Sequence, residues 1–544
     1  MATKPALSVQ WRRFWRLFRL EQPLSVQVLA LVLAVLLVGD LLALASAGSS
    51  TSHTTVAGSH RANGGTGSGF GNDGGSSATT TVPGGGAGGA GAGPNGTGSA
   101  PGGPGGPGHA GLANLGHGVT SNSIRVVFPY PNVGAVAQAI GIYGSSEDPV
   151  FSIQSAVRAI NDAGGIGGRK IDPEIVEFNP LDDASMRADC LHWTQDEHVF
   201  AVVDAGAWHD DHQLCVAQEN HTPLISTWVT VSDWTNRAYP NLWWAMPNAD
   251  TVVDNLAAWA AGQHYLSSGA RFGIVAADRE GDTLALGHLD QSLKNLGLHA
   301  YDTGSMRFDL QSSAQAQAQA RDIVTRFNLE GIHTVIPLLP YTDFLYLMEA
   351  AKEQNYVPRW LLSDYEQQNQ AAIGLIDPTS SGPYAKELDN TINPTFEDLG
   401  NCDCPKPLPI GYNPFGASCN ANFNKYYGPQ WKAQNSSWQG YIETTGTAMT
   451  WCTVINLFAA AARAVPPNSL TQPAFDQAMA GLNHYSGQLS PDYWFSLTRH
   501  AGPHEVRIVQ EHVNGDDKCP RKVDGGSQGD CWLILQDFQE GAHT

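Results

Sequence analysis

A long stretch without core-forming residues divides this chain into two unequal parts. Residues 48–118 consist mainly of Gly, Ser, Thr, Ala and Pro, as in the run GGSSATTTVPGGGAGGAGAG, with almost no large apolar side chain. Such a segment buries too little apolar surface to offset the entropy cost of ordering it, so we expect a disordered linker. A folded body is therefore expected in residues 119–544, with a short N-terminal part before the linker.

The N-terminal part contains a candidate membrane helix. Residues 23–47 read PLSVQVLALVLAVLLVGDLLALASA, roughly the twenty apolar residues that a bilayer-spanning helix requires. Five basic residues precede this segment, namely Lys4, Arg12, Arg13, Arg16 and Arg19. The positive-inside bias then makes residues 1–22 a basic cytoplasmic tail and places the body outside the cell membrane, as a single-pass protein.

A cleaved signal peptide is the alternative interpretation of the same segment. Ala45-Ser46-Ala47 has the small-residue pattern of a cleavage site after an apolar stretch. Cleavage would give a secreted protein instead of an anchored one. Under both interpretations, the folded body of residues 119–544 is exported from the cytoplasm.

The charge of the chain excludes one class of partner. The sequence has 51 acidic and 30 basic residues, a net charge of −21, and the basic tail makes the body more acidic still. A surface of this sign repels phosphate backbones. We therefore expect no nucleic-acid partner.

The cysteines fit an oxidising compartment. All eight follow the hydrophobic segment: Cys190, Cys215, Cys402, Cys404, Cys419, Cys452, Cys519 and Cys531. An even number in an exported chain favours disulfides, and we predict Cys190 with Cys215 and Cys519 with Cys531, leaving the other four open. The alternative for those is a zinc site at Cys402, Cys404 and Cys419, but a lone C-x-C lacks the paired spacing of structural zinc sites.

Signals for catalysis or a cofactor are weak. The string His209-Asp210-Asp211-His212 offers metal-ligating side chains, but acids at a helix start also satisfy free N–H groups and the helix dipole. The sequence has neither an H-E-x-x-H zinc motif nor a G-x-x-x-x-G-K-[ST] phosphate-binding loop. We expect that the protein is not an enzyme and that it binds neither a metal ion nor a cofactor.

The body alternates short β-branched runs with amphipathic stretches. Predicted strands include 124–128, 199–203, 222–225, 272–275, 334–338 and 360–362, and predicted helices include 150–162, 210–219, 283–296 and 342–354. This alternation is typical of βαβ units around parallel sheets. Binding residues are then expected in loops at the carboxyl ends of the strands.

One segment carries a family resemblance. AINDAGGIGGRKI, residues 159–171, resembles the iNaaGGinGrki segment that follows the first helix of type I periplasmic binding proteins of the branched-chain amino-acid-binding kind. PLISTWVTVSD, YPNLWWAMPN, RFGIVAADREGD and FSLTRHAGPHEVRIVQ follow in the family's order. The glycines have a local reason, since they end a helix and turn the chain into the next strand.

The resemblance implies an α/β fold of two doubly wound parallel-sheet lobes joined by a three-segment hinge, preceded here by one membrane helix and the linker. On that plan the first lobe comprises about 119–247 and 365–465, and the second about 248–364 and 466–544. The solute would be held between the lobes.

The resemblance also implies a set of ligand-binding residues in the loops after the strands: Trp208, Thr227, Trp228, Thr230, Asp278, Tyr341 and Asp364. A threonine hydroxyl would hold a carboxylate, Tyr341 would line the cleft, and Asp364 or Glu366 would hold an ammonium group. Trp208 stands where relatives usually have small residues, and Gly281 and Asp282 stand where they have an aromatic residue. The two tryptophans suggest a ligand ring stacked between them.

Each of these residues also has a structural interpretation. Trp208 and Trp228 can be packing residues, Asp364 a helix N-cap and Tyr341 a rim residue. The expected function is extracytoplasmic binding of a small amphipathic solute for delivery to a membrane permease, as in ABC transporters. The alternatives are a sensing or cell-surface ectodomain without transport and, as a minor one, an extracytoplasmic enzyme.

Overall fold

The computed structural model describes most of the predicted body. The described residues are 112–132, 149–180, 182–206, 208–209, 211–228, 231–306, 313–365, 385–397, 414–427, 443–487, 489–512 and 531–541. The predicted tail, the membrane segment and nearly all of the linker lie outside them. Within these ranges, no helix has the length and apolar character needed to cross a membrane.

The strands form two parallel sheets with smaller antiparallel additions. In chain order they are β1 Ser123–Pro131, β2 Lys170–Phe178, β3 Ala201–Val203, β4 Leu224–Ser226, β5 Leu242–Trp244, β6 Phe272–Ala277, β7 Asp302–Met306, β8 Thr334–Leu338, β9 Arg359–Trp360, β10 Ile392–Thr395, β11 Asn483–Tyr485, β12 Tyr493–Trp494, β13 Glu505–His512 and β14 Cys531–Glu540. One parallel sheet has the order β2-β1-β3-β4-β5 and the other β7-β6-β8-β9. The remaining strands form an antiparallel β10-β13-β14 sheet and a β11-β12 pair.

The helices connect and cover the sheets. They are α1 Pro149–Asp162, α2 Asp183–Leu191, α3 Asp211–Leu214, α4 Ser232–Arg237, α5 Ala249–Gly262, α6 Glu280–Asn295, α7 Ser313–Glu330, α8 Tyr341–Glu353, α9 Ala385–Leu388, α10 Pro414–Tyr426, α11 Glu443–Ala464 and α12 Gln472–Ala480. The predicted α/β architecture with parallel sheets is confirmed. A crossover helix between parallel strands follows from the connection that such pairs require.

The first lobe has a core on both faces of the five-stranded sheet. Ile153 of α1, Phe458 of α11 and Phe475 of α12 pack in one buried cluster with Phe128 of β1 and with Tyr493. Residues 466–495 therefore belong to the first lobe, which corrects their assignment to the second. The helical period of 472–480 shows that one face is buried but does not specify which sheet buries it.

The second lobe extends its parallel sheet with the antiparallel strands. Leu361, just after β9, forms a parallel bridge with Ile392 of β10, and the Leu362 main-chain N–H donates to the Ile392 oxygen at 2.8 Å. Leu388 and Val509 pack in the second-lobe core with Phe344 of α8. Residues 385–397 thus lie in the second lobe, although the sequence analysis assigned 365–465 to the first.

Two connections between the lobes run side by side. The Trp244 main-chain N–H donates to the His500 oxygen at 2.8 Å, and the Gly502 N–H donates to the Trp244 oxygen at 3.2 Å. The His500 ring stacks on Trp243 with centroids 3.8 Å apart. Residues 245–248 and 503–504 then lead into α5 and β13 of the second lobe. The sequence analysis placed a third connection near residue 365. Because β10 lies in the second lobe, this connection comes after β10 instead, and residues 398–413 lie outside the described ranges.

The structure confirms one predicted disulfide and adds one that the sequence analysis left open. Cys190 of α2 is bonded to Cys215, and Cys419 of α10 is bonded to Cys452 of α11. The second bond makes Cys419 unavailable as a zinc ligand. Cys402, Cys404 and Cys519 lie outside the described residues, so the predicted pairing of Cys519 with Cys531 stays a prediction.

The glycine-rich turn after α1 is tightly constrained. Gly165 adopts φ +79°, and a Cβ atom there would lie 1.9 Å from the main-chain oxygen of Arg169. Only glycine fits this backbone without displacement. The turn closes with the Gly165 N–H donating to the Ile160 oxygen at 2.9 Å, so the motif ends α1 and returns the chain into β2.

Arg169, at the end of this turn, holds three main-chain segments together. Its side chain is buried. Nε donates to the Thr120 oxygen at 2.6 Å, Nη1 to the Pro467 oxygen at 2.6 Å and Nη2 to the Ala113 oxygen at 2.7 Å. The planar guanidinium suits this task because its donors point in fixed, divergent directions.

We predict that Arg169→Lys lowers the free energy of unfolding by about 3 kcal/mol, since one ammonium cannot reach all three carbonyls and leaves buried acceptors unsatisfied. Chemical denaturation followed by far-UV circular dichroism measures the change. Arg321→Ala is the control, because Arg321 pairs with Glu353 on an exposed surface and its loss should leave the midpoint unchanged. Equal midpoints for Arg169→Lys and the native protein would contradict this role.

Candidate functional site

The carboxyl ends of the two parallel sheets face each other. Arg237, at the end of α4, lies with Nη1 3.4 Å from Oε1 of Glu280, at the start of α6. The Ser232 hydroxyl, at the start of α4, donates to the Asp250 carboxylate of α5. Because α4 follows β4 and α6 follows β6, these contacts define an interlobe cleft at the strand ends, where ligands of α/β sheets bind.

A hydrogen-bond network fixes the first-lobe wall of this cleft. The Ser226 hydroxyl donates to Oδ2 of Asp204 at 2.9 Å and accepts from Nε2 of Gln213 and the N–H of Trp228, both at 3.1 Å. The Gly206 N–H donates to Oδ1 of Asp204 at 3.1 Å. Burial raises the pKa of Asp204 to about 7, against the opposing effect of these hydrogen bonds. These hydrogen bonds join Asp204 and Gly206, just after β3, to Ser226 and Trp228 at the end of β4.

Thr227 and Trp228 stay candidates on the first-lobe side, and the structure gives their burial and contacts. Thr227 is 1% exposed, and its Oγ1 has no hydrogen-bond partner in the part of the chain that is described. Trp228 is 8% exposed, with its ring centroid 5.6 Å from that of His209. A buried hydroxyl without a partner costs about 1–3 kcal/mol, so a ligand that bonds it gains affinity. Thr230 lies outside the described residues.

Trp208 is a core residue. Its side chain is 0% exposed, its ring centroid lies 4.7 Å from that of Trp193 and 5.0 Å from that of Phe178, and its Nε1 donates to the His212 oxygen at 3.1 Å. This corrects the expectation that a ligand ring stacks between Trp208 and Trp228. Trp208 fills the core beneath the loop instead.

The His209–His212 string takes part in local contacts. His209 Nε2 lies 3.2 Å from the Pro180 oxygen, and His212 Nε2 lies 3.3 Å from Oδ1 of Asp183. Across the described ranges, no group of three or more His, Cys, Asp or Glu side chains is arranged to hold a metal ion. His209 and His212 therefore hold α3 and the segment before it against the start of α2.

The second-lobe wall contains a cluster that the sequence analysis missed. Asp282, buried in the first turn of α6, accepts from Nε of Arg279 at 2.6 Å and from the Tyr365 hydroxyl. Asp282 stands at the position where an aromatic residue was expected from the family resemblance. Its partner Arg279 follows β6 and Tyr365 follows β9, so the cluster ties two strand ends together.

Asp343 adds a second buried carboxyl group to this wall. It lies in the first turn of α8, is 2% exposed, and its Oδ2 has no hydrogen-bond partner among the described residues. Burial raises its pKa to about 7; Arg279 lowers it, and Asp282 and Asp278 raise it further. Asp343 follows Tyr341 by two positions, which was the signal available in the sequence. The predicted residue Asp278 is exposed beside it.

Asp364 has a structural role. It is fully buried, its Oδ2 accepts from the Phe396 N–H at 2.6 Å, and it also bonds the Thr395 side chain. Burial raises its pKa above the ordinary value. These contacts bind β10 to the loop after β9, which corrects the predicted role of Asp364 as an ammonium partner. Tyr341 begins α8, but its side chain and Glu366 lie outside what the structure describes.

A comparison with protein families agrees with this architecture. Residues 131–517 match the model of the family described as periplasmic binding protein. The chain belongs to the periplasmic binding protein family. The resemblance to the type I, branched-chain amino-acid-binding group is also confirmed. No curated protein matches the sequence significantly.

Solved structures share the fold of this periplasmic binding protein at low sequence identity. A fatty acid ABC transporter substrate-binding protein from Thermomonospora curvata is 14% identical with a TM-score of 0.54, and the match covers 80% of this chain and 96% of the other. A branched-chain amino acid ABC transporter protein from Thermus thermophilus with bound valine is 12% identical with a TM-score of 0.55, covering 77% and 97%. A solute-binding protein from Rhodopseudomonas palustris BisB5 with 3,4-dihydroxybenzoic acid is 11% identical with a TM-score of 0.52, covering 78% and 98%.

We predict that Asp343→Asn stabilises the protein at pH 8 and leaves its stability at pH 4 unchanged. The folded pKa near 7 exceeds the ordinary 3.8, so between these values the folded state binds more protons than the unfolded state. The protonated Asp343 carboxyl group therefore contributes stability at low pH, and this contribution is lost as the pH rises to about 7. Thermal denaturation at both pH values tests this.

Asp322→Asn, on the exposed face of α7, is the matched control and should alter stability equally little at both pH values. If Asp343→Asn and the native protein melt at the same temperature at pH 8, ionisation of the buried Asp343 does not destabilise the native protein, and the prediction is wrong.

Proposed function

We propose that this periplasmic binding protein captures a small solute in the interlobe cleft, outside the cell membrane, and presents it to a membrane permease. The unsatisfied, buried Thr227 hydroxyl beside Trp228 carries the proposal, because it offers a hydrogen bond at the carboxyl end of β4 that no described residue takes up. The shared fold with an ABC transporter substrate-binding protein and with a branched-chain amino acid ABC transporter protein that holds valine supports it. The N-terminal hydrophobic segment would anchor the protein at the outer face of the cell membrane or direct its secretion.

The charges around the cleft favour a solute with a protonated nitrogen. The second-lobe wall brings the carboxyl groups of Asp278, Asp282 and Asp343 close to the guanidinium of Arg279. Arg279 is engaged with Asp282 at 2.6 Å, so the wall attracts cations and repels free carboxylates. A solute that places an ammonium group near this wall and a hydrogen-bonding group at Thr227 would be an amino-acid-like, amphipathic molecule.

Binding by lobe closure requires no covalent step. The two lobes are connected by adjacent main-chain segments and contact each other through the Arg237–Glu280 pair at the cleft. Closure around a solute would bring Thr227 and the acidic wall to opposite sides of it and exclude water from the cleft. The closed form would then be the one that a permease recognises.

We predict that Thr227→Val and Trp228→Leu each weaken solute binding about tenfold, a loss of roughly 1.4 kcal/mol, because one removes the free hydroxyl and the other the aromatic surface. Native mass spectrometry of gently purified protein identifies the bound solute, and calorimetric titration measures its affinity. Thr227→Val should not reduce thermal stability, since it removes an unsatisfied buried oxygen.

Thr325→Val and Trp494→Leu are matched controls. Thr325 lies on the exposed face of α7, and Trp494 is 43% exposed on β12. Both should bind the solute with native affinity. Binding unaffected by Thr227→Val and Trp228→Leu, or turnover of the solute into a product, would contradict the proposal.

A further inference from the structure

A second cavity lies at the end of the first lobe opposite to the cleft. Its volume is about 410 Å³, within the range of roughly 300–1,000 Å³ typical of small-molecule pockets. Phe200 and Asn241, which line it, immediately precede β3 and β5, and His221 lies shortly before β4. The cavity therefore occupies the amino edge of the sheet, whereas the cleft lies at the carboxyl edge.

One buried carboxyl group lines this cavity. Asp476 of α12 is 3% exposed, and its Oδ1 accepts from Nε1 of Trp243 at 2.8 Å. Its Oδ2 has no hydrogen bond to any residue in the described ranges. Burial raises the pKa of Asp476 to about 7, against the opposing effect of the Trp243 hydrogen bond. A buried carboxylate gains most from a cationic partner.

Two amide side chains add further acceptors. Nδ2 of Asn241 donates to the Ala217 oxygen at 3.0 Å, and Nε2 of Gln472 donates to the Phe200 oxygen at 3.0 Å. Carbonyl oxygens only accept, so each amide must direct its nitrogen at them. The amide oxygens of Asn241 and Gln472 are left without hydrogen bonds to the residues that the structure describes. Both residues line the cavity.

The remaining walls are apolar or aromatic. Leu115, Phe200 and Leu470 line the cavity, with the exposed imidazoles of His117 and His221 at its rim. The cavity thus combines three hydrogen-bond acceptors, one of them a carboxyl group, with apolar surface. Neither lysine nor arginine is among its lining residues.

We propose that this cavity binds a small organic ammonium compound. The ammonium group donates to the Asp476 carboxylate and to the amide oxygens of Asn241 and Gln472, and the apolar part of the compound lies against the accessible side chains of Leu115 and Pro473. The site is separate from the interlobe cleft and takes its own ligand.

The experiment is a calorimetric titration of the full-length protein, kept in solution by a mild detergent, with benzylamine, benzyl alcohol and benzoate. The three probes share a ring and differ in the polar group. Benzylamine should bind with a dissociation constant of about 1 mM or lower, benzyl alcohol about tenfold more weakly, and benzoate not measurably. Asp476→Asn should weaken benzylamine binding at least about tenfold, because it keeps an oxygen for Trp243 but removes the charge.

Pro473→Trp gives an independent test if Asp476→Asn fails to fold. Pro473 is exposed in the first turn of α12 and lines the cavity, so an indole there should block it and abolish binding. Trp228→Leu and Asp343→Asn, both in the cleft, should leave the benzylamine affinity of the cavity unchanged. The proposal is overturned by no benzylamine binding up to about 10 mM, by equal binding of benzoate, or by binding that is lost in the cleft variants and kept in Asp476→Asn and Pro473→Trp.

Discussion

The guanidinium of Arg169 is the contact on which the first lobe depends. It donates to main-chain oxygens of Ala113, Thr120 and Pro467, which join the beginning of the body, the start of β1 and the turn before α12. Segments separated by 298 residues in sequence are thereby held at one point. These hydrogen bonds hold the turn before α12 against the segments that precede β1 and β2 of the five-stranded sheet.

Much of the fold follows from patterns that the sequence displays. Alternating apolar runs predicted parallel α/β units, and the segment from Ala159 to Ile171 predicted the turn that places Arg169. The pairing of Cys190 with Cys215 was also predicted correctly. The lobe boundaries were not, because an apolar face such as that of α12 shows that a helix is covered but does not name the sheet that covers it. That choice is made by contacts distant in sequence, such as Trp243 with Asp476.

The ligand site itself stays a prediction, although the structure gives packing roles to two of its predicted members. Trp208, Thr227, Asp278 and Asp364 each follow a strand, as expected from strand topology, and Thr227 and Trp228 remain candidates for ligand contact. Trp208 and Asp364 turned out to be internal, since the core packing of Trp208 with Phe178 and the bond from Asp364 to Phe396 exist only in the assembled lobes. Asp343 was missed for the same reason, because a carboxyl group becomes significant only when its burial and charged neighbours are known.

The paired connections at Trp244 and His500 have a mechanical consequence. Two peptide segments that are hydrogen-bonded to each other cannot slide independently without losing those bonds. Domain movements divide into sliding of packed surfaces and bending at a few residues. This pair therefore acts as a hinge, and the cleft opens by rotation of one lobe about it. The stacking of the His500 ring on Trp243 keeps the hinge attached to the first lobe.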